Sequence, residues 1–303
     1  MGQLRRWGLM VIVFTVISLA QMTPAKGPPP SHQMRVNGVD ISYVDQGAGT
    51  PVVFTHGSFS DLRFWEPQRE AFAQNYRFIA YTYRYHGTAR WPDTGKNYSV
   101  ATHTADLTAF IRGLKAGPVH LVAISSGGRL AAFVASENPE LLRSLTLAEP
   151  AFGALLADMP EAKPHWDDRR KAMAKVRAAV KAGDAVKGTK LFFESVNNRG
   201  AGAFDKQPEP LRQMILDNAR TVPLSLSAPR KPQVSCATLN AIKTPTLITR
   251  GEHTLRFFSL ISEITARCVP GSRLVTISNA THPMSIQNPT AFNEAVLQFV
   301  AQH

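Results

Sequence analysis

The sequence predicts an α/β fold: a mostly parallel central sheet with helices on both faces and an inserted helical cap. Three observations carry that expectation. Short apolar runs alternate with amphipathic segments across residues 34–149 and again across 236–303, as in strand–helix–strand units whose sheet is buried on both faces. Between them, 150–235 is charged and alanine-rich, with helical spacing and no convincing strand. Finally, reactive residue types directly follow the apolar runs, at the strand ends where an open parallel sheet gathers its chemistry.

The elements can be justified in chain order. Arg5 and Arg6 precede the apolar run Trp7–Ala20, and Ser18-Leu19-Ala20 offers small residues where a signal peptidase reads. As a helix that run would reach roughly 20 Å, short of a bilayer core. Residues 1–20 are therefore expected to be a signal peptide, with cleavage after residue 25 as the alternative. The mature chain would be exported, periplasmic or secreted, without a stable membrane span; an uncleaved N-terminal anchor is the weaker reading. Residues 21–33, with the proline-rich stretch Thr23–Pro30, are expected as a linker.

Met34–Val36 and Ile41–Val44 flank Asn37-Gly38, the signature of a hairpin turn. Pro51–Thr55 is a short buried strand ending in His56-Gly57, with Phe64–Phe72 the helix after it and Tyr76–Tyr81 the next strand. Leu107, Phe110, Ile111 and Leu114 recur at helical spacing. Val119–Ala123 reads as strand, Ser126–Ala135 as helix and Leu145–Ala148 as strand. After the cap come strand Pro245–Thr249, helix Phe257–Cys268, strand Arg273–Ile277 and a final helix Ala291–Val300.

Composition excludes several classes. At 303 residues, 44% hydrophobic and 18% charged, the chain is neither disordered nor fibrous. The formal charge of +12 includes several basic residues between Lys163 and Lys190. That stretch lacks interleaved aromatics and any nucleic-acid motif, so it reads as a solvated helical face and no nucleic-acid partner is expected. Cys236 and Cys268 flank one strand-plus-helix segment and leave two readings open, a disulfide or two buried thiols. Neither stands at catalytic or metal spacing, and no metal or cofactor is expected. Oligomeric state is not legible in the sequence.

Val122–Leu130, Val-Ala-Ile-Ser-Ser-Gly-Gly-Arg-Leu, poses the question of a nucleophile. A turn sharp enough to expose one between strand and helix needs small residues two positions before and after it. Ser125 has Ala123 and Gly127 there, whereas Ser126 has Ile124, so only Ser125 fits. Gly57-Ser58, Ser125, Glu149, Glu252 and the loop holding His282 all follow expected strands and belong on one sheet edge.

With Val-Val-Phe-Thr-His-Gly, Leu-Val-Ala-Ile-Ser-Ser-Gly-Gly, Thr-Leu-Ile-Thr-Arg-Gly-Glu-His and Asn-Ala-Thr-His-Pro in this order, the chain resembles the α/β-hydrolase superfamily, in particular its capped serine-nucleophile branch. The resemblance spans about Met34 to His303. It implies Ser125 as nucleophile, His282 as base, and the backbone N–H groups of Ser58 and Ser126 as the oxyanion hole. The Ser126 hydroxyl is expected only to cap the helix or face solvent. Relatives carry an aspartate where this chain has Thr254. Two glutamates can replace it: Glu149, at the strand end from which the similar haloalkane dehalogenases take their acid, and Glu252, one residue past Gly251. Glu149 is preferred. The resemblance implies hydrolysis of a small-molecule ester or lactone. A perhydrolase, a carbon–carbon hydrolase and a non-catalytic ligand-binding protein on the same fold are the alternatives.

Overall fold

The computed structural model describes residues 31–198, 200–229 and 232–303. The expected signal peptide and residues 21–30 of the expected linker lie outside them. The described chain runs β1 (Ser31–Val36), β2 (Val39–Gln46), β3 (Pro51–Thr55), α1 (Glu66–Ala73), β4 (Arg77–Tyr81), α2 (Val100–Gly113), β5 (Val119–Ile124), α3 (Ser126–Glu137) and β6 (Leu142–Ala148). Four longer helices then intervene before the sheet resumes: α4 (Lys163–Lys181), α5 (Ala185–Val196), α6 (Glu209–Asp217) and α7 (Thr221–Ser227). The remainder is α8 (Cys236–Asn240), β7 (Thr246–Gly251), α9 (Arg256–Cys268), β8 (Arg273–Ile277), α10 (Met284–Gln287) and α11 (Pro289–Val300).

The eight strands form one sheet in the order β1-β2-β4-β3-β5-β6-β7-β8. β1 and β2 pair antiparallel, β2 runs antiparallel to β4, and every other pair is parallel. Strand order reverses beside β3, which sits between β4 and β5, and such a switch point opens a crevice at the carboxyl ends of the strands. β3 and β5 are buried along their whole length. Because side chains alternate, Val53, Leu121 and Ala123 join the core under α2, α3 and α9, while Phe54, Val122 and Ile124 join the core under α1 and α11. Nearly continuous apolar runs are what a strand covered on both faces requires.

Two local outcomes differ from the sequence expectation. Ser31, His32 and Gln33, expected as linker, pair with Val44, Tyr43 and Ser42 and begin β1. Their polar side chains lie exposed on the edge strand, so no apolar alternation announces them. The helix expected from Phe64 starts at Glu66. Before it, Leu62–Trp65 forms a 3-10 turn in which the Arg63 N–H is capped by the Asp61 carboxylate, and Pro67 occupies the first α-helical turn, where its missing N–H costs nothing.

Cys236, opening α8, and Cys268, closing α9, form a disulfide with Cα atoms 5.2 Å apart. It ties the segment that returns from the cap to the helix flanking β7. No helix among the described residues is long and apolar enough to cross a membrane.

Candidate active site

Ser125 stands between β5 and α3 at φ 53°, ψ −119°, a conformation that costs a non-glycine residue of order 1–3 kcal/mol and persists only when its surroundings impose it. They do: the Ser125 N–H donates to Ala148 O at 3.0 Å, and its carbonyl accepts from Gly128 and Ala151 at 3.0 and 2.9 Å. Gly127 allows α3 to start so close to β3. A Cβ there would lie 2.4 Å from His56 O and 2.9 Å from Thr55 O. Ala123, two residues before Ser125, is fully buried and accommodated.

Glu149 and His282 come together at the ends of β6 and the loop after β8. Glu149 is fully buried and takes a left-handed φ of 38°, which turns its side chain across the end of β7. Its Oε1 accepts from the Gly251 N–H at 2.8 Å, and its Oε2 accepts from Thr254 Oγ1 at 2.9 Å and from His282 Nδ1 at 2.7 Å. Three donors compensate the buried carboxylate. Gly251 has no side chain to spare: a Cβ would stand 2.5 Å from Thr281 O, so the His282 loop packs directly on the β7 backbone.

Glu252 takes a different place. Half exposed, it accepts from the Asn279 N–H at 2.8 Å and ties down the loop that carries His282 without touching the ring. Thr254, at the position where an aspartate was expected, donates its hydroxyl to Glu149. That contribution was not foreseen, since no sequence pattern says that a threonine at one strand end meets a glutamate from another.

His282 stacks on Phe258, centroids 4.2 Å apart and planes at 19°. With Nδ1–H directed at Glu149, the tautomer leaves Nε2 as the basic nitrogen on the opposite side of the ring. His282 and Ser125 line one cavity. Among the described residues no hydrogen bond reaches Ser125 Oγ, a looseness common before substrate binds.

The loop after β3 is held by its buried polar groups. His56 Nδ1 donates to Gly57 O at 2.8 Å, the Ser60 hydroxyl donates to the same oxygen at 3.1 Å, and His56 stacks on Tyr83 at 3.7 Å. Burial keeps the His56 pKa well below its ordinary value, so the ring is neutral and structural. Because a trans peptide points its C=O and N–H opposite ways, fixing Gly57 O directs the Ser58 N–H away from His56. Ser126 is the first residue of α3, so its N–H has no intrahelical acceptor. Its hydroxyl neither caps the helix nor meets solvent, contrary to expectation: it is buried without a partner.

The cavity measures about 70 Å³. Phe59, Phe64 and Ile124 wall it from the sheet side, and the cap contributes Phe192 and Phe193 of α5 and Met214 of α6. Phe192 is held edge-on by Phe59, with centroids 4.4 Å apart, and lies under the Arg169 guanidinium. Trp166 packs instead on Phe257, and Phe204 on Phe193. The α6 residues were not singled out from sequence, because an amphipathic helix does not declare which neighbour its apolar face meets. A buried knot fastens this part of the cap: Asn218 donates to Asp61 at 2.7 Å and accepts from the Gly87 N–H at 2.7 Å.

The sequence pattern of the Alpha/beta hydrolase family matches residues 52–295. A curated relative, 2-(acetamidomethylene)succinate hydrolase of Mesorhizobium japonicum, is 22% identical over 277 residues, 89% of this chain and 95% of its own. Among solved structures, an esterase from Exiguobacterium antarcticum superposes with a TM-score of 0.72 at 22% identity, covering 89% of this chain and 98% of the other. The enol-lactonase of Burkholderia xenovorans gives 0.70 at 19% identity, covering 89% and 100%. At these identities the structural likeness speaks for the fold.

Proposed function

The chain belongs to the α/β-hydrolase family, and from that premise we propose that it hydrolyses carboxylic esters or lactones through an acyl-enzyme on Ser125. The observation that carries the reading is the buried Glu149–His282 hydrogen bond of 2.7 Å beside a cavity that also exposes Ser125. A serine hydroxyl is a poor nucleophile without an oriented base, and this arrangement supplies one.

In the first half-reaction Ser125 Oγ bonds to the substrate carbonyl carbon while its proton passes to His282 Nε2. The carbonyl oxygen, now an anion, is met by the N–H groups of Ser58 and Ser126. The tetrahedral centre collapses, the C–O bond to the alcohol breaks, and the imidazolium gives its proton to the departing alkoxide. Water then attacks the acyl-enzyme as His282 takes its proton; the acid leaves, and Ser125 recovers its hydrogen. Glu149 holds Nδ1–H and balances the imidazolium charge without itself taking the proton. The small, largely apolar cavity favours a short acyl group. An esterase and an enol-lactonase share this fold, in keeping with either bond type.

A fluorophosphonate probe tests the reading. Wild-type protein should be labelled and Ser125→Ala should not, with nitrophenyl acetate hydrolysis falling by about 10³-fold or more in the variant. Folded wild-type protein that resists the probe returns the chain to the ligand-binding reading.

We also propose export. Residues 1–20 have the sequence of a signal peptide, and the Cys236–Cys268 disulfide suits an oxidising compartment. Intact-mass measurement on the exported fraction should find a chain beginning at Gln21, or at Lys26 if cleavage follows Ala25. A chain retaining Met1 in the membrane fraction supports the anchored alternative.

A further inference from the structure

Behind the Ser125–Ser126 peptide lies a second cavity of about 110 Å³, lined by Tyr83, Tyr98, His103, Ser126, Arg129 and, from the cap, Ser225. Ser125 faces the first cavity and Ser126 this one, so the elbow is a wall common to both. The volume holds a few waters or one anion of acetate size.

The charge balance is unusual. Arg129, one turn into α3, makes no hydrogen bond or ion pair with any other described residue, and its Nε is fully buried without a partner. Burial pushes its pKa down, yet a guanidinium stays charged. Asp106, the buried carboxylate of this region, is already committed to Arg84 at 2.5 and 2.7 Å and to Asn37 at 2.9 Å. Arg129 as a whole is partly exposed; its buried, unpaired Nε is the group that lacks compensation.

The polar groups around Arg129 are short of acceptors. Tyr83 donates its hydroxyl proton to His56 O. His86 Nδ1 donates to Ser60 O, so its Nε2 must accept from the Tyr98 hydroxyl at 3.3 Å. The Ser126 hydroxyl and His103 Nε2 are buried without partners. Burial pushes the His103 pKa well down, which leaves the ring neutral and Arg129 as the one positive charge among the described lining residues. That charge and the free donors match a single negative charge, not a double one.

We propose that this cavity is a binding site for a small carboxylate, paired with Arg129 and seated against Ser126 and His103. The site is separate from the acyl cavity and independent of the hydrolase reading. The carboxylate is that of a free small acid, because the elbow separates this cavity from the one that Ser125 faces.

Calorimetric titration of the full-length protein with sodium acetate, at constant ionic strength in carboxylate-free buffer, tests it. Saturable binding should appear. It should weaken at least tenfold in Arg129→Gln and in Ser225→Phe, which fills the cavity from the cap without removing the Arg129 charge. Inorganic phosphate at pH 8, largely a dianion, should bind at least tenfold more weakly than acetate. No saturable heat in the wild type, equal affinity in both variants, or phosphate binding as tightly as acetate overturns the proposal.

Discussion

At Ser125 the backbone holds a conformation that L-residues avoid, and the requirement for small flanking residues made the serine identifiable from its neighbours alone. Glu149 and Glu252 show the opposite case. Both follow strands and both reach the loop after β8, but only Glu149, at a left-handed φ of 38°, brings its carboxylate to the His282 ring. Glu149→Gln should lower kcat for nitrophenyl acetate by about 10²–10⁴-fold with little change in KM, because an amide no longer balances the imidazolium. Glu252→Gln keeps an oxygen that can accept from Asn279 and should stay within a few-fold of wild type. Equal losses in the two variants would falsify the assignment of the acid to Glu149.

At the scale of elements, β5 and α3 are joined by a turn whose sterics are set by β3. Gly127→Ala would drive a methyl group to within 2.4 Å of His56 O, against backbone that is itself locked by His56, Ser60 and Tyr83. The substitution should cost about 3 kcal/mol or more in urea unfolding, or yield insoluble protein. Ala123→Gly, in the buried strand, should cost only about 1 kcal/mol. A Gly127→Ala variant as stable as wild type would mean that the elbow is not so constrained. Strands and helices were legible here because burial on both faces forces continuous apolar runs, whereas β1 hid its first residues behind exposed Ser31, His32 and Gln33. The cap helices were legible as helices by composition. Which of their faces closes over Ser125 was not, since Phe192 and Met214 reach the cavity only through packing on Phe59 and Phe64.

Over the whole molecule, folding buries a set of neutral histidines. Burial pushes His86 down to about 4, and His120 also to about 4, with Arg143 adding to the effect; His56 and His103 shift the same way. Unfolded, these rings titrate near 6.5, so between roughly pH 6.5 and 4 the unfolded chain binds more protons than the folded one. Stability is therefore full above that window and falls as pH drops through it, with a slope of up to about 1.4 kcal/mol per pH unit for each fully affected ring. The urea midpoint should be clearly lower at pH 4.5 than at pH 7.5, and equal midpoints would remove the buried-histidine account. The sequence by itself determined the class of fold and singled out the elbow serine, the loop histidine and two glutamates as candidates, because strand burial and turn sterics are local constraints that residue types must satisfy in order. Only the tertiary structure decided which glutamate meets His282, that Thr254 supports it, that Cys236 pairs with Cys268, and that Arg129 Nε is buried with no partner among the described residues. Those are meetings between groups far apart in the chain, and no local pattern records the direction in which a side chain leaves the end of its strand.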